Sequence, residues 1–336
     1  MDNTKFGRHE KSGFVPKDLI SYGPLFSWPP KLIALLKWLP KYYFFTWNAV
    51  FTLIGVGFWF LLTPPLEDMK TFQLRWILHL TAVNYALVVV WYGAWHGWLY
   101  MLRRQDTRFK YNSRWPSIKS AVFVFGRQNA DNVFWTLVSG VPIFTAYMVV
   151  SFWLFANGYV PFLNPSDNPI WFAVLLVIRP ILFDVHFYLV HRLLHVRLLY
   201  KYVHSLHHNN VNPAPWSGLS MHPVEHLFYF SGIVIISLMN AHPIHMLSNV
   251  MEASLGPAVG HTGFDKLELG DNRVISAGDY AHYLHHKLFE VNYSGGVVPL
   301  DKWFGTFHDG SAEAEERLKV RTKKRKEVYA KRAGKA

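Results

Sequence analysis

The sequence predicts an all-α integral membrane protein. We expect a helical bundle of about four spans plus a re-entrant helical hairpin, with a cytosolic helical cap that carries histidine boxes. Three observations support this fold class. The 336 residues are 51% hydrophobic and only 17% charged, whereas soluble domains have about 25% charged residues. The apolar residues form runs of about 20, the length that a membrane-spanning helix needs. Fifteen of the 18 histidines lie between His186 and His308.

The first 42 residues form the predicted cytosolic N-terminal segment. The stretch Lys31–Trp38 is too short to span a membrane and has an amphipathic pattern. We therefore expect a helix there that lies in the membrane interface. The chain has no cysteine, which excludes a disulfide scaffold and thiolate metal ligands.

Residues 43–178 form the predicted transmembrane region. The first three apolar runs contain no acidic residue, Lys or Arg, while the fourth is interrupted by Arg179, Pro180 and Asp184. Each is long enough for a helix to cross a hydrocarbon core of about 30 Å. The four predicted spans are Tyr43–Leu62, Trp76–Leu102, Phe134–Phe155 and Ile170–Val190.

The basic residues predict the orientation of these spans. Residues 1–41 and 103–127 each hold seven Lys and Arg, whereas the connections 63–75 and 156–169 hold two and none. Cytoplasmic connections of membrane proteins carry the excess of Lys and Arg. We therefore place the N-terminus and the 103–127 connection in the cytosol, to which the chain returns near residue 191.

A fifth apolar stretch starts at Leu227. A single crossing there would put the following histidines and the basic tail, residues 311–336, outside the cytosol. That tail has ten Lys and Arg against four Glu. We therefore expect residues 227–260 to form a re-entrant helical hairpin with Pro243 at or near its turn. The basic surface suits anionic lipid or an acidic electron-donor protein, and nucleic acid is not an expected partner.

The histidines lie in three groups at helical spacing. Residues three or four apart share one face of a helix, so each group can aim two or three imidazoles at one point. Single histidines elsewhere are interpreted as ordinary hydrogen-bonded residues. Eight buried imidazoles without a shared partner would leave many polar atoms unpaired, so we expect a metal site, and the ligand number favours two ions. The three groups are His191/His195, His204/His207/His208 and His282/His285/His286.

Imidazole ligands suit iron, copper, nickel and zinc, so the ligand type alone does not identify the metal. Structural zinc sites use four ligands and commonly cysteine. A water-excluded site beside a bilayer suits an apolar substrate and dioxygen. We therefore expect iron.

These residues resemble the fatty acid hydroxylase/sterol desaturase superfamily of membrane di-iron oxygenases, whose histidine pattern is HxxxH, HxxHH and HxxHH. The resemblance covers about residues 180–308. Residues 179–310 are accordingly interpreted as a fatty acid hydroxylase-type di-iron catalytic domain, followed by the basic C-terminal tail 311–336. Segments around the boxes that also resemble the family are 184–192, 199–201, 222–225, 260–264, 291–293 and 300–306.

The resemblance implies two iron ions, cycling between Fe2+ and Fe3+, with O2 as co-substrate. His222 is expected either to bind metal or to support a ligand, and no catalytic residue beyond the ligands and no organic cofactor site is implied. His186 and His226 stand where the family does not require histidine. The implied metal ligands are His191, His195, His204, His207, His208, His222, His261, His282, His285 and His286.

Each ligand imidazole needs an acceptor for its other ring nitrogen. The candidates are Asp184, Glu225, Asp279 and Asp301. Two electrons must come from a separate protein, because the sequence has no dinucleotide-binding glycine motif and no cysteine for haem or iron–sulfur attachment. The resemblance implies a cytochrome b5-type or ferredoxin-type donor.

The expected activity is hydroxylation or desaturation of a bilayer lipid, of the sterol or fatty-acyl type. An alternative within the superfamily is ether-lipid or carotenoid hydroxylation. From another class, the alternative is a histidine-rich membrane metal transporter or metal-binding protein, whose ionisable ligands would lie at mid-span along a pathway. A zinc hydrolase would need a motif such as HExxH, which does not occur. The expected location is the endoplasmic reticulum of a eukaryote or the inner membrane of a bacterium.

Overall fold

The computed structural model describes residues 5–40, 47–270 and 273–333, which are mainly helical. Two small antiparallel sheets pair β1 (Gly7–Glu10) with β2 (Gly13–Pro16) and β3 (Lys266–Glu268) with β4 (Val274–Ser276). The helices are α1 (Leu32–Trp38), α2 (Trp47–Leu61), α3 (Leu74–Met101), α4 (Gln128–Ala156), α5 (Pro169–Leu194), α6 (197–208), α7 (Pro223–Leu238), α8 (Pro243–Gly260), α9 (Tyr280–Leu288), α10 (Leu300–Trp303) and α11 (Ala312–Ala333).

Three helices are long and apolar enough to cross a membrane. They are α3, α4 and α5, with 28, 29 and 26 residues. At 1.5 Å per residue each is about 40 Å long, which exceeds a hydrocarbon core of about 30 Å. Apolar side chains on their outer surfaces are exposed, among them Leu78, Val90 and Leu189. These helices confirm the second, third and fourth predicted spans.

The first predicted span, Tyr43–Leu62, is shorter than expected in the part that the structure describes. Residues 43–46 lie outside the described residues, and α2 covers the remainder with 15 residues, or about 22 Å. It lies along α8, where a Cβ atom on Gly55 would be 2.8 Å from the backbone nitrogen of Ser248. The glycine therefore allows the two helices to approach closely.

The predicted hairpin is present. Its arms are α7, which is interrupted at Ser231, and α8, whose first residue is Pro243. Most of α8 is buried, and it contacts α2, α3, α4, α5 and α7. The turn reaches the connection between α4 and α5, because the Leu163 N–H donates to the carbonyl of Ala241 at 3.0 Å. The hairpin thus enters and leaves the bundle at the same end.

The N-terminal segment, the 103–127 connection and the C-terminal part of the chain lie together at the opposite end. The Phe14 N–H donates to the Lys110 carbonyl at 2.7 Å, and the Ile20 N–H donates to the Asp309 carbonyl at 2.9 Å. The structure thus groups the segments that carry most of the basic residues, as the charge pattern predicts.

The two ends of the chain contribute exposed helices to this end. The predicted interfacial helix is α1, in which Leu32, Ile33 and Leu36 are at least 60% exposed. Residues 1–4 and 41–42 of the predicted N-terminal segment and 334–336 of the tail lie outside the described residues. The tail forms α11, and Arg321 donates to the Gly305 carbonyl at 2.9 Å.

Candidate metal centre

Nine of the ten predicted ligands form two groups of converging imidazoles. Within each group, one potential ligand atom per residue lies within 4.8 Å of all the others. Group A consists of His191, His195, His204, His208 and His285. Group B consists of His207, His261, His282 and His286.

Four helices and the residues that directly follow them supply these side chains. His191 lies in the last turn of α5, and His195 directly follows that helix. His261 directly follows α8. Helix α6 carries the second histidine box and α9 the third, and the stretch Tyr200–His204 of α6 has π-helical hydrogen bonding, a departure that is frequent at functional sites.

Each HxxHH box contributes to both groups. In α6, His204 and His208 are four residues apart and both belong to group A, while His207 belongs to group B. In α9 the assignment is reversed: His282 and His286 belong to group B and His285 to group A. Each of these two boxes therefore aims two imidazoles at one group, as the spacing predicts, and its remaining imidazole at the other group. In each box, one histidine lies between the two that are four residues apart. Its side chain is rotated by about 100° around the helix from that of the adjacent histidine, towards the other group.

The spacing between ring nitrogens fits a bound cation. The Nε2 atoms of His261, His282 and His286 are pairwise 3.1 Å apart. In group A, Nε2 of His208 lies 3.2 Å from that of His195 and 3.1 Å from that of His285. Two ligands at right angles, each about 2.1 Å from one ion, would be about 3.0 Å apart. These atoms have the separation of nitrogens that share one ion.

Backbone carbonyls orient several of the rings through the other nitrogen. In group A, Nδ1 of His191 lies 2.8 Å from the Tyr293 carbonyl and Nδ1 of His285 lies 2.7 Å from the Val291 carbonyl. In group B, Nδ1 of His261 lies 2.9 Å from the Pro257 carbonyl. A carbonyl can only accept, so each Nδ1 carries the proton and Nε2 presents its lone pair to the group. This is the support that metal-bound histidines have.

Glu225 supplies the corresponding acceptor for His204. Its Oε1 atom lies 2.8 Å from Nδ1 of His204, and both side chains are at most 2% exposed. The buried Nε2 atom of His204 has no hydrogen-bond partner in the part of the chain that the structure describes. An unpaired buried nitrogen is unfavourable by about 1–3 kcal/mol, and a metal ion would satisfy it.

The other three candidate carboxylates have different partners from those expected. Asp279 caps α9 by accepting the N–H of His282 at 3.0 Å. Asp301 accepts the N–H groups of Tyr293 and Ser294 at 2.9 and 2.7 Å. Asp184 accepts the N–H groups of residues 295, 297 and 298. These two aspartates therefore fix segment 293–298, whose Tyr293 carbonyl orients His191, and act on the site through the backbone.

Burial keeps the imidazoles that lie beyond the membrane-spanning helices in the neutral form that binds metal. It lowers the pKa of His195 and His207 to about 3 and that of His282 to about 4. The Arg192 charge lowers the pKa of His195 further, and the electrostatic interaction with the His282 ring lowers the pKa of His207 further. Desolvation disfavours the imidazolium, so these rings are neutral at physiological pH.

His222 is the one predicted ligand outside both groups. It precedes α7, and its Nδ1 atom accepts the N–H of Val224 at 3.2 Å as an N-terminal cap. His186 and His226 are also outside the groups. Their rings lie 2.8 and 2.9 Å from the hydroxyls of Ser231 and Ser139, respectively.

An apolar cavity adjoins both groups. Its volume is about 310 Å³, within the usual range for small-molecule sites of about 300–1,000 Å³. It extends from His191 of group A and His261 of group B into the bundle. Side chains and glycines from α2, α5, α7 and α8 form its walls, including Phe51, Phe183, Phe187, Tyr229 and Gly256.

A buried ion pair adjoins this cavity. Arg179 of α5 pairs with Glu252 of α8, and Glu252 lines the cavity wall. The sequence analysis noted Arg179 only as an interruption of a span, and it did not single out Glu252. A signal was available, because Glu252 is the only charged residue in the apolar segment 227–260.

Comparison with known proteins shows what the histidine-bearing part of the chain is similar to. Residues 175–306 match the family described as fatty acid hydroxylase. A Delta(7)-sterol 5(6)-desaturase of Gibberella zeae is 29% identical over 178 residues, which are 50% of this chain and 48% of that protein. Methylsterol monooxygenase 1 of Gallus gallus is 27% identical over 225 residues, or 64% of this chain and 69% of that protein. Methylsterol monooxygenase 2-2 of Arabidopsis thaliana is 34% identical over 128 residues, or 37% and 48%.

The chain thus spans about half the length of two of these relatives and 69% of the third. No solved structure matches it. The matched segment contains all the residues of groups A and B. Its histidine boxes lie inside the segment that matches the fatty acid hydroxylase family, and its relatives include sterol desaturases and methylsterol monooxygenases, so this part of the chain is similar to the fatty acid hydroxylase/sterol desaturase superfamily.

Proposed function

We propose that this protein is a membrane-bound di-iron oxygenase that hydroxylates or desaturates a lipid with O2 and two electrons from an external donor. The observation that carries the proposal is the placement of groups A and B on the wall of an apolar cavity. All nine residues are imidazoles, which suit iron, copper, nickel and zinc. The choice of iron rests on the similarity to the superfamily.

The iron ions, when bound, would supply the activation of O2 that an unreactive C–H bond requires. In hydroxylation, one oxygen atom enters the C–H bond and the other leaves as water, with two electrons and two protons consumed. In desaturation, two hydrogen atoms leave neighbouring carbons, and O2 with the same two electrons and two protons becomes two waters.

The chain's own residues would position the reactants and exclude water. The carbonyls at Val291, Tyr293 and Pro257 and the Glu225 carboxylate hold ring nitrogens in place. The aromatic walls of the cavity would align an apolar chain or ring system beside the two groups. Precise placement of one carbon is what selects the bond that reacts.

The cavity and the relatives' names support a lipid substrate. An apolar cavity that opens from a helical bundle suits a molecule taken from the bilayer. The relatives' names include sterol desaturase and methylsterol monooxygenase, so we propose a sterol or fatty-acyl substrate. Ether-lipid or carotenoid hydroxylation is the alternative within the superfamily. A metal transporter is less well supported, because the nine histidines lie at one end of the bundle and not along its length.

We further propose that the histidine-bearing end faces the cytosol. This end also carries the N-terminal segment, the 103–127 connection and α11, which hold most of the excess positive charge. The positive-inside rule places such segments in the cytosol. The same surface could receive an acidic cytochrome b5-type or ferredoxin-type donor. The membrane would be the endoplasmic reticulum or the bacterial inner membrane.

Metal analysis tests this proposal. The full-length protein, purified in detergent from iron-replete cells, is expected to contain about two irons per chain. A His204→Ala/His207→Ala/His208→Ala variant should lose them, whereas the matched control His9→Ala/His79→Ala should retain them. Wild-type protein that retains no metal after reconstitution with Fe2+, or a triple variant that retains both ions, would refute the proposal.

A further inference from the structure

The Arg179–Glu252 ion pair places two charged side chains inside an apolar helical bundle. The Arg179 side chain is 1% exposed and that of Glu252 15% exposed. Residue 179 lies within α5 and residue 252 within α8, both away from the helix ends. Ionisable side chains inside membrane bundles are energetically costly and usually serve a ligand or an ion pathway. Apolar side chains of similar size could often fill the same space without that penalty.

Glu252 lies at a distance from the metal-binding groups but on the same cavity. The cavity wall includes Glu252 and His261 of group B. Glu252 lies within α8, and His261 directly follows that helix nine positions later, which corresponds to a backbone rise of about 14 Å at 1.5 Å per residue. The cavity is therefore long, with imidazoles at one end and a carboxylate towards the other.

Two glycines leave open space along the cavity wall between Glu252 and His261. Gly256 and Gly260 follow Glu252 at intervals of four residues and therefore lie on the same face of α8. Both line the cavity. A Cβ atom on Gly260 would meet no atom within 4 Å, and one on Gly256 would only touch the Phe51 ring at 3.5 Å. An elongated ligand could thus lie along this face from the imidazoles to Glu252.

We infer that Glu252, held in place by Arg179, accepts a hydrogen bond from a hydroxyl group at one end of an elongated lipid substrate. This inference rests on the proposed function and specifies its substrate class. For a ligand that lies along this face, the backbone rise between Glu252 and His261 puts the separation between the hydroxyl oxygen and the oxidised carbon on the order of 14 Å. An extended chain advances about 1.2 Å per bond, as the polypeptide does over its three backbone bonds per residue, so the separation corresponds to about eleven bonds.

The chemistry of the carboxylate selects among lipids. A hydroxyl donates to a carboxylate in a charge-assisted hydrogen bond, which is stronger than one between neutral groups. A fatty-acid carboxylate has no proton to donate at neutral pH and would face a like charge. A lipid that carries only apolar atoms at that end would leave the Glu252 oxygens without a ligand partner. The site should therefore prefer lipid alcohols.

Direct binding tests this assignment without turnover. The iron-loaded full-length protein in lipid nanodiscs is titrated with tritiated 1-hexadecanol, and unlabelled 1-fluorohexadecane, which has nearly the same shape but no donor, serves as competitor. We expect the wild type to bind the alcohol at least about tenfold more tightly than the fluoride. Glu252→Gln should reduce alcohol affinity about tenfold and leave fluoride affinity unchanged. The control Glu67→Gln, which alters an exposed carboxylate paired with Lys70, should behave as the wild type.

A double variant separates recognition from folding. Glu252→Leu alone leaves Arg179 buried without its partner and can disrupt the bundle. Arg179→Leu/Glu252→Leu removes both charges and should bind the two lipids equally while keeping its iron. Equal affinities in the wild type, or a preference for the alcohol that persists in the double variant, would overturn the inference. Iron content is measured on every sample, so a failure of the metal proposal is recognised separately.

The position of oxidation provides a second readout. With 1-hexadecanol and a chemical or protein reductant, the wild type is expected to oxidise carbons about eleven bonds from the oxygen. The double variant should give a broader distribution of positions, because the hydroxyl no longer fixes the chain. Oxidation confined to the carbons next to the hydroxyl would contradict the assignment.

Discussion

Replacing Glu225 by leucine removes the acceptor that orients His204. The wild-type hydrogen bond is 2.8 Å long and both side chains are at most 2% exposed, so the contact is shielded from bulk water. The Nδ1–H group of His204 would then be buried and unpaired, which is unfavourable by about 1–3 kcal/mol. The ring would also be free to rotate away from group A. Loss of such a supporting partner typically weakens metal binding by about 10- to 100-fold.

The assay is competition for Fe2+ between the apo-protein and a chelator of known affinity. We expect Glu225→Leu to lose affinity by about 10- to 100-fold for group A, whereas Glu225→Gln, which keeps a neutral acceptor, should lose less. Glu67→Gln serves as the control, because its carboxylate is exposed and lies outside the cavity. Unchanged affinity in a folded Glu225→Leu protein would show that this contact does not orient the ligand.

Three further outcomes test the packing and electrostatics by thermal unfolding. Gly55→Val should destabilise the protein by about 1–3 kcal/mol, because its Cβ would approach the α8 backbone to 2.8 Å; Gly57→Ala, with no atom within 4 Å, should not, and equal losses would contradict the packing. Asp301→Asn should destabilise it by about 1–3 kcal/mol and weaken iron retention, since the carboxylate accepts two backbone N–H groups; an unaltered protein would refute this. Burial lowers the pKa of Lys110 from 10.5 to about 7. The unfolded chain therefore binds more protons between pH 7 and 10, so stability should rise with pH over this window in the wild type and not in Lys110→Met; equal slopes would count against it.

The sequence alone is enough to predict the features that depend on local pattern. Apolar runs locate α3, α4 and α5 because the length of a spanning helix is set by the membrane. Basic connections predict which segments share one end of the bundle. The spacing of the histidine boxes predicts eight imidazoles that converge, because residues three and four apart lie close together on a helix, and the resemblance to the family adds His261.

Features that depend on how distant segments pack could not be predicted. The division of each HxxHH box between two groups depends on the position of α6 against α9. Four carboxylates were equivalent candidates in the sequence, yet only Glu225 is hydrogen-bonded to a ligand ring. Asp279 caps α9 instead, and Asp184 and Asp301 accept backbone N–H groups of segment 293–298. The apolar run also did not predict that α2 is only 15 residues long. The pairing of Glu252 with Arg179 depends on α5 lying beside α8.

The division of the boxes has a consequence for how the two metal sites fill. Helices α6 and α9 each carry ligands of both groups, so an ion bound in group A restrains helices that also carry the ligands of group B. The second ion would then bind to ligands that are already ordered, and the entropy lost on binding would be smaller. Occupancy should therefore be cooperative, with few chains that hold a single ion at sub-stoichiometric iron, and an inactive half-loaded enzyme would be rare.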